Sequence, residues 1–530
     1  MNAIISSLSA LQCLYTVIIG YVIFKRLLTY LHILQQDNYY SKRFLDWFIQ
    51  NKAYDRYMTS VIVLCITINW LMGAPSNHPA YYILALTALL YFAFKEPNPL
   101  SNAKLKLVLT FRAKRILSAS IILFIPIFYY NDYTLTSLIL IIQSTPFILI
   151  LGNLITLPLE HHIQKNYLIA AKQTLETLNP TVIGITGSYG KTSMKYILGH
   201  ILNKYQPTLF TPASINTPMG ICSVIQNKLK PNHKFFIVEM GAYQMGSIKK
   251  LCALTPPNIG TVTSIGPCHL ERFGSMENVA KGKSELLAAI EQNSSHLGFS
   301  FPKELNQLDA FKKYAASNLM IPPLVCVKKE QTTSGIVIHI KEGTATTELK
   351  APIFGIHQAD NITLAVTIAR KLGAPMELIK SALLSVKQVS ARLEVKHDTN
   401  DITWINDGFN ANPAGFTQAL ELLKQFGTEK NGRKILVTPG LIELGEQHDE
   451  IHAQLAKQAM HCTDILIIVA PQRIDAFVKT ADLLKKPTQI ILHVNSFTAA
   501  KQWLDKNLQT KDTILLANDL PDILETRPNI

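Results

Sequence analysis

The chain has 530 residues, of which 48% are hydrophobic and 17% are charged, and its formal net charge is +14. This length exceeds one ordinary core, so two or three domains are expected. The seven cysteines are scattered without a Cys-x-x-Cys pair, which argues against a disulfide framework or a four-cysteine zinc site and is typical of reduced thiols. Much of the basic excess lies between apolar segments, so we expect no nucleic-acid partner.

The apolar residues are concentrated before about Pro158, in five runs. Several are shorter than the ~20 residues that a helix needs to cross a bilayer. Basic residues follow the first and third runs and are absent after the second and fourth, which predicts that the N-terminus is outside and that residues after Leu159 are cytoplasmic. We therefore predict a membrane domain over residues 1–159 with about five transmembrane helices, a multi-pass inner (cytoplasmic) membrane location, and the lipid bilayer as a partner. The runs are Leu8–Ile23, Met58–Gly73, Ala80–Phe94, Ile116–Tyr130 and Leu135–Leu157.

From Thr181 onward, short β-branched runs alternate with amphipathic stretches, which predicts an α/β fold with mainly parallel sheets. Phe301–Leu349 is less regular and is either an insertion or an antiparallel edge. We predict a central P-loop domain over residues 160–386 and a Rossmann-like C-terminal domain over residues 387–530. The predicted strands include Thr181–Ile185, Phe235–Val238, Ile259–Ser264, Ile435–Thr438, Ile465–Val469, Ile490–Val494 and Thr513–Leu516, and the predicted helices include Pro413–Phe426, Glu450–His461 and Ser496–Leu508.

A candidate phosphate-binding loop, Gly184–Ser193, follows the first of these strands with the sequence Gly-Ile-Thr-Gly-Ser-Tyr-Gly-Lys-Thr-Ser. Its glycines allow backbone N–H groups to converge on phosphate oxygens at a helix N-terminus. The lysine would reach the β- and γ-phosphates of ATP, and the threonine hydroxyl would serve Mg²⁺. A strict P-loop pattern fails here because Ile185 stands where a glycine is required. The predicted nucleotide-binding residues of the loop are Gly187, Ser188, Gly190, Lys191, Thr192 and Ser193.

The loop resembles the Thr-Gly-x-x-Gly-Lys-Thr-Ser loop of the Mur ligase family, and further stretches resemble that family in the same order. The resemblance covers about Thr181 to the C-terminus and is closest to the MurF branch, which adds D-alanyl-D-alanine to a muramoyl tripeptide. It implies an ATP- and Mg²⁺-dependent amide ligase that acts through an acyl phosphate in peptidoglycan synthesis. Its partners would be a peptidoglycan precursor or another carboxylate, and an amino acid or dipeptide amine. The matching stretches are Val238–Ala242, Gly266–Ser275, Arg392–Glu394 and Asn406–Pro413.

The resemblance implies metal and catalytic roles for three residues outside the loop. Glu239, at the end of a strand, would hold Mg²⁺ through oxygen, which that cation prefers. His269 would be a second Mg²⁺ ligand and part of the catalytic set with Lys191. Lys283 matches the family's carbamylated lysine by its distance from His269, and a solvated lysine stays open as an alternative for that position.

Three further residues are implied as nucleotide contacts. Asn361 ends a Gly-Ile-His-Gln-Ala-Asp-Asn stretch and matches the family's adenine-contacting asparagine, whereas Gln358 replaces an asparagine of that motif. Arg392 and Asp407 match contacts of the C-terminal domain, which engage when the domains close. Closure would exclude water from a hydrolysable acyl phosphate.

Two departures leave the substrates open. Pro439-Gly440-Leu441 stands where the MurF branch has Gly-Asp-Met before its Glu-Leu-Gly, and Phe409 replaces a tyrosine, so the amine is uncertain. Apolar segments occupy the place of a uridine-nucleotide-binding domain, with little room between Leu159 and Thr181, so the acceptor is either nucleotide-linked or lipid-linked.

Two alternative functions also stay open. One is a related ligase with a different or lipid-linked substrate, such as a polyglutamate-type synthase or the ligase-like half of an amidotransferase. The other, of a different class, is a membrane P-loop ATPase for transport or regulation. Charged residues in the middle of the apolar runs would favour transport, and the sequence has none there.

Overall fold

A computed structural model describes residues 2–72, 79–101, 106–131, 134–266, 270–292, 296–408, 412–442 and 444–518. The chain divides into two compact units. The first contains Met1–Gln164 and the second contains Lys165–Asp519.

The described part of the N-terminal unit is helical. Its apolar side chains pack into one core, with Leu27, Phe44, Ile62, Leu89 and Ile116 among the buried members. Other large apolar side chains of this unit stay exposed. The helices are α1 (Asn2–Gln36), α2 (Ser41–Gln50), α3 (Tyr57–Leu71), α4 (Pro79–Lys95), α5 (Phe111–Tyr129) and α6 (Leu135–Leu178), of which the last part of α6 belongs to the second unit.

Buried ion pairs connect α1 to the residue segments that precede α3 and follow α4. Arg26 of α1 contacts Asp55 before α3 at 2.7 Å and Glu96 after α4 at 3.3 Å, and all three side chains are almost fully buried. Thr29 donates to the same Glu96 carboxylate at 2.5 Å, and the other Asp55 oxygen accepts from the N–H of Met58 at 2.9 Å. One arginine between two carboxylates offsets the desolvation of all three groups.

The predicted multi-pass location with five crossings is wrong. Two helices among the described residues are long and apolar enough to cross a membrane, Leu14–Gln36 and Leu135–Leu178, and by length and composition alone they are weak evidence. Half to two-thirds of their most apolar windows is buried inside the protein, as in core helices. One of the basic residues that follow the first run, Arg26, lies inside α1 and is buried in an ion pair.

The N-terminal part of the second unit is built on a parallel sheet with the strand order β2-β3-β1-β4-β5. Apolar clusters cover both of its faces, as expected for a parallel sheet. The strands are β1 (Thr181–Thr186), β2 (Thr208–Phe210), β3 (Phe235–Glu239), β4 (Ile259–Val262) and β5 (Gly298–Ser300). The helices are α7 (Lys191–Tyr205), α8 (Pro218–Lys228), α9 (Ser247–Leu254), α10 (Leu270–Phe273), α11 (Met276–Glu291), α12 (Asp309–Ala315), α13 (Gln358–Lys371) and α14 (Met376–Leu384), with a 3₁₀ turn at Lys303–Gln307.

The less regular segment after β5 contains an antiparallel sheet of β6 (Val325–Thr332), β7 (Gly335–Glu342) and β8 (Ala345–Ala351). Its inward-facing isoleucines Ile336, Ile338 and Ile340 join the apolar cluster that also contains α7 and α13 residues. The alternation of buried and less buried residues along β7 is that of a sheet covered on one face.

The C-terminal part of the second unit contains a sheet with the order β13-β12-β11-β14-β10-β9, in which β9 is an antiparallel edge and the other pairings are parallel. Both sheets therefore confirm the predicted α/β class. The strands are β9 (Glu394–His397), β10 (Thr403–Asp407), β11 (Lys434–Thr438), β12 (Ile465–Val469), β13 (Ile490–Val494) and β14 (Thr513–Ala517). The helices are α15 (Pro413–Lys430), α16 (His448–Cys462), α17 (Asp475–Leu484) and α18 (Phe497–Asn507), with 3₁₀ turns at Gly445–Gln447 and Pro471–Arg473.

Replacing Arg26 with methionine removes the charge and keeps most of the side-chain length. The Asp55 and Glu96 carboxylates then stay buried without their cation, so we expect the N-terminal unit to lose about 3–5 kcal/mol of unfolding free energy. Denaturant unfolding measures this loss. The control is Arg56→Met, because Arg56 is exposed, and equal effects of the two substitutions would contradict the account.

Candidate functional site

The loop between β1 and α7 has two positions that require glycine. Gly187 and Gly190 have φ values of 144° and 79°, in the region that side chains disfavour. A Cβ on Gly187 would overlap the Thr263 hydroxyl, and a Cβ on Gly190 would lie 2.8 Å from the Asn361 side-chain oxygen. The loop therefore packs closely against the end of β4 on one side and against α13 on the other.

Hydrogen bonds to the segment after β4 fix the loop. The N–H of Ser188 donates to the carbonyl of Ser264 at 2.7 Å, and the Ser188 hydroxyl donates to the carbonyl of Gly266 at 3.1 Å. The N–H of Tyr189 donates to the Ser264 hydroxyl at 3.2 Å. The Lys191 ammonium donates to the carbonyls of Gly187 and Ser188, at 2.8 and 3.1 Å. A cation and the N-terminus of α7 thus lie beside the same loop, an arrangement that favours bound phosphate.

Glu239 ends β3 with its carboxylate buried beside the first turn of α7. One carboxylate oxygen accepts from the Thr192 hydroxyl at 3.0 Å and from the Lys195 ammonium at 2.8 Å. The other accepts from the Asn216 amide at 3.2 Å, and Lys195 also donates to the carbonyl of Ala213. The sequence analysis did not predict that Lys195 and Asn216 belong to this site. Their signal was weak, although Lys195 lies one helical turn after Lys191, which places both lysines on one side of α7.

The oxygens at this point suit Mg²⁺, which prefers oxygen ligands and keeps several waters. The Thr192 hydroxyl and the Glu239 carboxylate already lie side by side, so both could coordinate one ion. The predicted second ligand, His269, lies outside the described residues. Within the part of the chain that the structure describes, no group of three or more His, Cys, Asp or Glu residues is placed to hold a metal.

The two lysines near the start of α11 differ in environment. Lys281 is half exposed and pairs with Glu277 at 2.6 Å across one helical turn. Lys283 is 2% exposed, which rules out the solvated alternative for that residue. Burial of this kind is compatible with the proposed carbamylation, which stays a prediction.

A chain of buried polar side chains joins α7 to α13. The Gln358 amide donates to the Ser193 hydroxyl at 3.3 Å, and the Asn361 amide donates to the Gln358 oxygen at 2.8 Å. Asn361 in turn lies against Gly190. Gln358, which departs from the family's asparagine, therefore serves as the link between the phosphate loop and Asn361.

Arg392 and Asp407 lie together at the start of the C-terminal part. Asp407 ends β10 and accepts from the N–H of Leu393 at 3.2 Å. Burial raises the pKa of Asp407 to about 6, against the opposing effects of that N–H and of Arg392. Burial lowers the pKa of Arg392, opposed by the negative charges of Asp407 and Glu239. Arg392 therefore lies within electrostatic range of the Glu239 carboxylate.

A small cleft is lined by residues of both parts of the second unit. Ser193, Phe354 and Gln358 come from the middle part, and Lys387 and Arg392 come from the start of the C-terminal part. Of the predicted site residues, Ser193 and Arg392 line this cleft, Thr192 is hydrogen-bonded to Glu239, and Asn361 lies against Gly190.

Comparisons with known proteins match both parts of the second unit. The family model of the Mur ligase middle domain matches residues 185–369, and that of the Mur ligase glutamate ligase domain matches residues 391–518. UDP-N-acetylmuramoyl-tripeptide–D-alanyl-D-alanine ligase of Escherichia coli K12 is 27% identical over 293 residues, which cover 52% of this chain and 62% of that protein. The protein of the same name from Buchnera aphidicola subsp. Baizongia pistaciae is 30% identical over 300 residues, which cover 54% of this chain and 62% of that protein.

The match therefore spans less than two thirds of the length of these relatives. Among solved structures, the MurF ligase of Thermotoga maritima in complex with ADP has a TM-score of 0.57 at 22% identity, covering 69% of this chain and 82% of that chain. At this identity the similarity is one of fold.

Replacing Asp407 with asparagine keeps the acceptor for the Leu393 N–H and removes the carboxylate. The pKa of Asp407 is raised from 3.8 to about 6 in the folded state, so the folded chain carries a buried charge above pH 6 and loses that cost as pH falls towards 4. We expect Asp407→Asn to be more stable than the wild type by about 1–3 kcal/mol at pH 8, with the difference shrinking below pH 6.

Denaturant unfolding at pH 5 and pH 8 measures this change. Asp449→Asn is the control, because that aspartate is exposed. A destabilised Asp407→Asn variant at pH 8, or a difference that does not depend on pH, would contradict the assignment.

Proposed function

This chain belongs to the Mur ligase family, and on that premise we propose that it is an ATP-dependent amide ligase that adds D-alanyl-D-alanine to a muramoyl-peptide precursor in peptidoglycan synthesis. The family resemblance of its motifs is confirmed by the matches over residues 185–369 and 391–518. The observation that carries the proposed activity is the position of Lys191, Thr192 and Glu239 around one glycine loop. The names of the relatives supply the proposed substrates.

ATP is the proposed source of activation. The phosphate loop fits a nucleoside triphosphate, and the Thermotoga maritima protein of the same fold was solved with ADP. Asn361 against the loop and Arg392 across the cleft are the proposed contacts outside the loop, with Asp407 beside Arg392. Thr192 and Glu239, with His269 as a further proposed ligand, would hold Mg²⁺, which supplies positive charge against the phosphate oxygens when bound.

The proposed reaction has two steps. The γ-phosphoryl group moves from ATP to an oxygen of the acceptor carboxylate, which gives an acyl phosphate and ADP. The amine then attacks the acyl carbon, the carbon–oxygen bond to phosphate breaks, the nitrogen loses a proton, and an amide and phosphate result. Lys191 and Arg392 would stabilise negative charge on the transferring group. Lys283, as a carbamate, is a proposed further member of the catalytic set.

The division of the chain into residues 1–159, 160–386 and 387–530 is part of this proposal. The family models fall within the second and third of these ranges. In this arrangement the middle part supplies the phosphate loop and the C-terminal part supplies Arg392 and the amine site.

The proposal also concerns the group to which the acceptor is linked, which is either a nucleotide or a lipid. The N-terminal unit exposes large apolar side chains, among them Trp70, Met72, Phe94, Phe111 and Tyr129, each more than 70% exposed. Surfaces of this kind bind lipids or proteins. We therefore keep a lipid surface among the proposed partners, which requires no multi-pass arrangement, and test lipid-linked and nucleotide-linked acceptors side by side.

We expect the full chain with MgATP, D-alanyl-D-alanine and a muramoyl tripeptide, either nucleotide-linked or lipid-linked, to release ADP and form the extended peptide. Replacing Lys191 with alanine removes a cation from the phosphate loop and is expected to lower the rate of product formation by about 100-fold or more. Mass spectrometry of the product measures both results. Lys204→Ala is the control, because Lys204 is an exposed lysine of the same helix.

Unchanged ligation by Lys191→Ala would contradict the assignment of the loop. Ligation of a different amine would overturn the MurF-type substrate and keep the ligase. ATP turnover that does not depend on an amine would instead favour the ATPase alternative.

A further inference from the structure

Lys195 is a buried cation that the proposed function does not use. Its side chain is fully buried, and its ammonium lies 2.8 Å from one carboxylate oxygen of Glu239. The same oxygen accepts from the Thr192 hydroxyl at 3.0 Å. Lys195 is therefore in direct contact with one of the two groups that are proposed to hold Mg²⁺, and it binds the oxygen that lies beside the other.

The turn between β2 and α8 holds Lys195 in this position. Both backbone groups of Ala213 are bound by neighbouring residues of α7, because its carbonyl accepts from Lys195 and its N–H donates to the Tyr196 hydroxyl at 3.1 Å. Asn216 of the same turn donates to the other carboxylate oxygen of Glu239 at 3.2 Å. The turn thus binds both members of the ion pair and keeps the ammonium beside the carboxylate.

Most of the hydrogen-bonding capacity of the Glu239 carboxylate is already used. A carboxylate offers about four lone-pair positions. Lys195 and Thr192 donate to one oxygen, and Asn216 donates to the other. A metal ion that binds this carboxylate would therefore share it with an ammonium of like charge.

The charges around Glu239 also disfavour a cation that arrives alone. Arg392 lies within electrostatic range of Glu239 and of Lys195, and Lys191 precedes Lys195 by one turn of α7. These three cations stand against the carboxylates of Glu239 and Asp407. Because like charges repel strongly at short range in a buried site, a divalent cation is disfavoured here. The phosphates of a nucleotide would bring the negative charge that reverses this balance.

We propose that Lys195 is a positioning residue that makes the metal site depend on the nucleotide: its ammonium occupies the Glu239 carboxylate and keeps the empty site from holding a divalent cation until nucleotide phosphates supply negative charge. The inference rests on the proposed function, because it takes Thr192 and Glu239 as the metal ligands. It adds an order of binding, in which the divalent cation enters with the nucleotide and not before it.

The first test measures Mn²⁺ binding to the full chain without nucleotide, by the electron paramagnetic resonance signal of the free ion. Mn²⁺ takes the same oxygen ligands as Mg²⁺. Lys195→Met removes the charge and keeps most of the side-chain length, so we expect its Kd for Mn²⁺ to be at least about tenfold lower than that of the wild type. A merely structural lysine would give the opposite change, because its loss would disturb the site. Lys204→Met is the control, because Lys204 is an exposed lysine of the same helix.

A double variant tests whether the ion binds at the carboxylate. Lys195→Met/Glu239→Gln lacks both charges, so it should bind Mn²⁺ no more tightly than the wild type. A double variant with the affinity of Lys195→Met would show that the ion binds elsewhere and would overturn the inference. Lys195→Gln replaces Lys195→Met if that variant does not fold, because its amide still donates hydrogen bonds but carries no charge, and the same gain in affinity is expected.

ADP separates a failed inference from a failed function. We expect ADP to tighten Mn²⁺ binding to the wild type by at least about tenfold, after correction for Mn²⁺ bound to free ADP, and to have a smaller effect on Lys195→Met. Equal affinities of the wild type with and without ADP, or of the wild type and Lys195→Met without ADP, would overturn the role of Lys195 and keep the metal site. A wild-type chain that binds no Mn²⁺ even with ADP would overturn the proposed metal site itself.

Discussion

The buried carboxylate of Glu239 is the constraint on which the proposed nucleotide site depends. A buried charge is costly unless other groups pair with it and donate to it, and here the donors are Lys195, Thr192 and Asn216. Two of these lie in the first turns of α7, so satisfying Glu239 fixes that helix against the end of β3. The position of the helix then sets the phosphate loop that precedes it.

The same arrangement extends to the C-terminal part of the second unit. Phe354 packs into the apolar cluster of that part, and His357 is hydrogen-bonded to Gln418 of α15. These contacts bring Arg392 to the cleft opposite Ser193 and within electrostatic range of Glu239. In the proposed reaction, the charges around the transferring phosphoryl group would come from residues of both sheets, which these apolar and polar contacts hold together.

Local patterns were sufficient to predict the strands and the loop, because β-branched runs and the Gly-Lys-Thr-Ser sequence act over a few residues. The ion pair of Lys195 with Glu239 joins residues that are 44 positions apart, so no local sequence pattern predicts it. The five-crossing prediction failed because apolar runs have the same composition in core helices as in membrane-spanning helices. His269 and Phe409 lie outside the described residues, and their assignments rest on the motif.

The most direct test of the central claim is the Mg²⁺ dependence of ADP binding, measured by calorimetry for the wild type and for Glu239→Gln. The amide keeps the shape and the acceptor of the carboxylate but lacks the charge that a hard cation prefers. We predict that Mg²⁺ tightens ADP binding to the wild type and has little effect on the affinity of the variant for ADP. A variant that responds to Mg²⁺ as the wild type does would contradict the placing of the metal at Glu239.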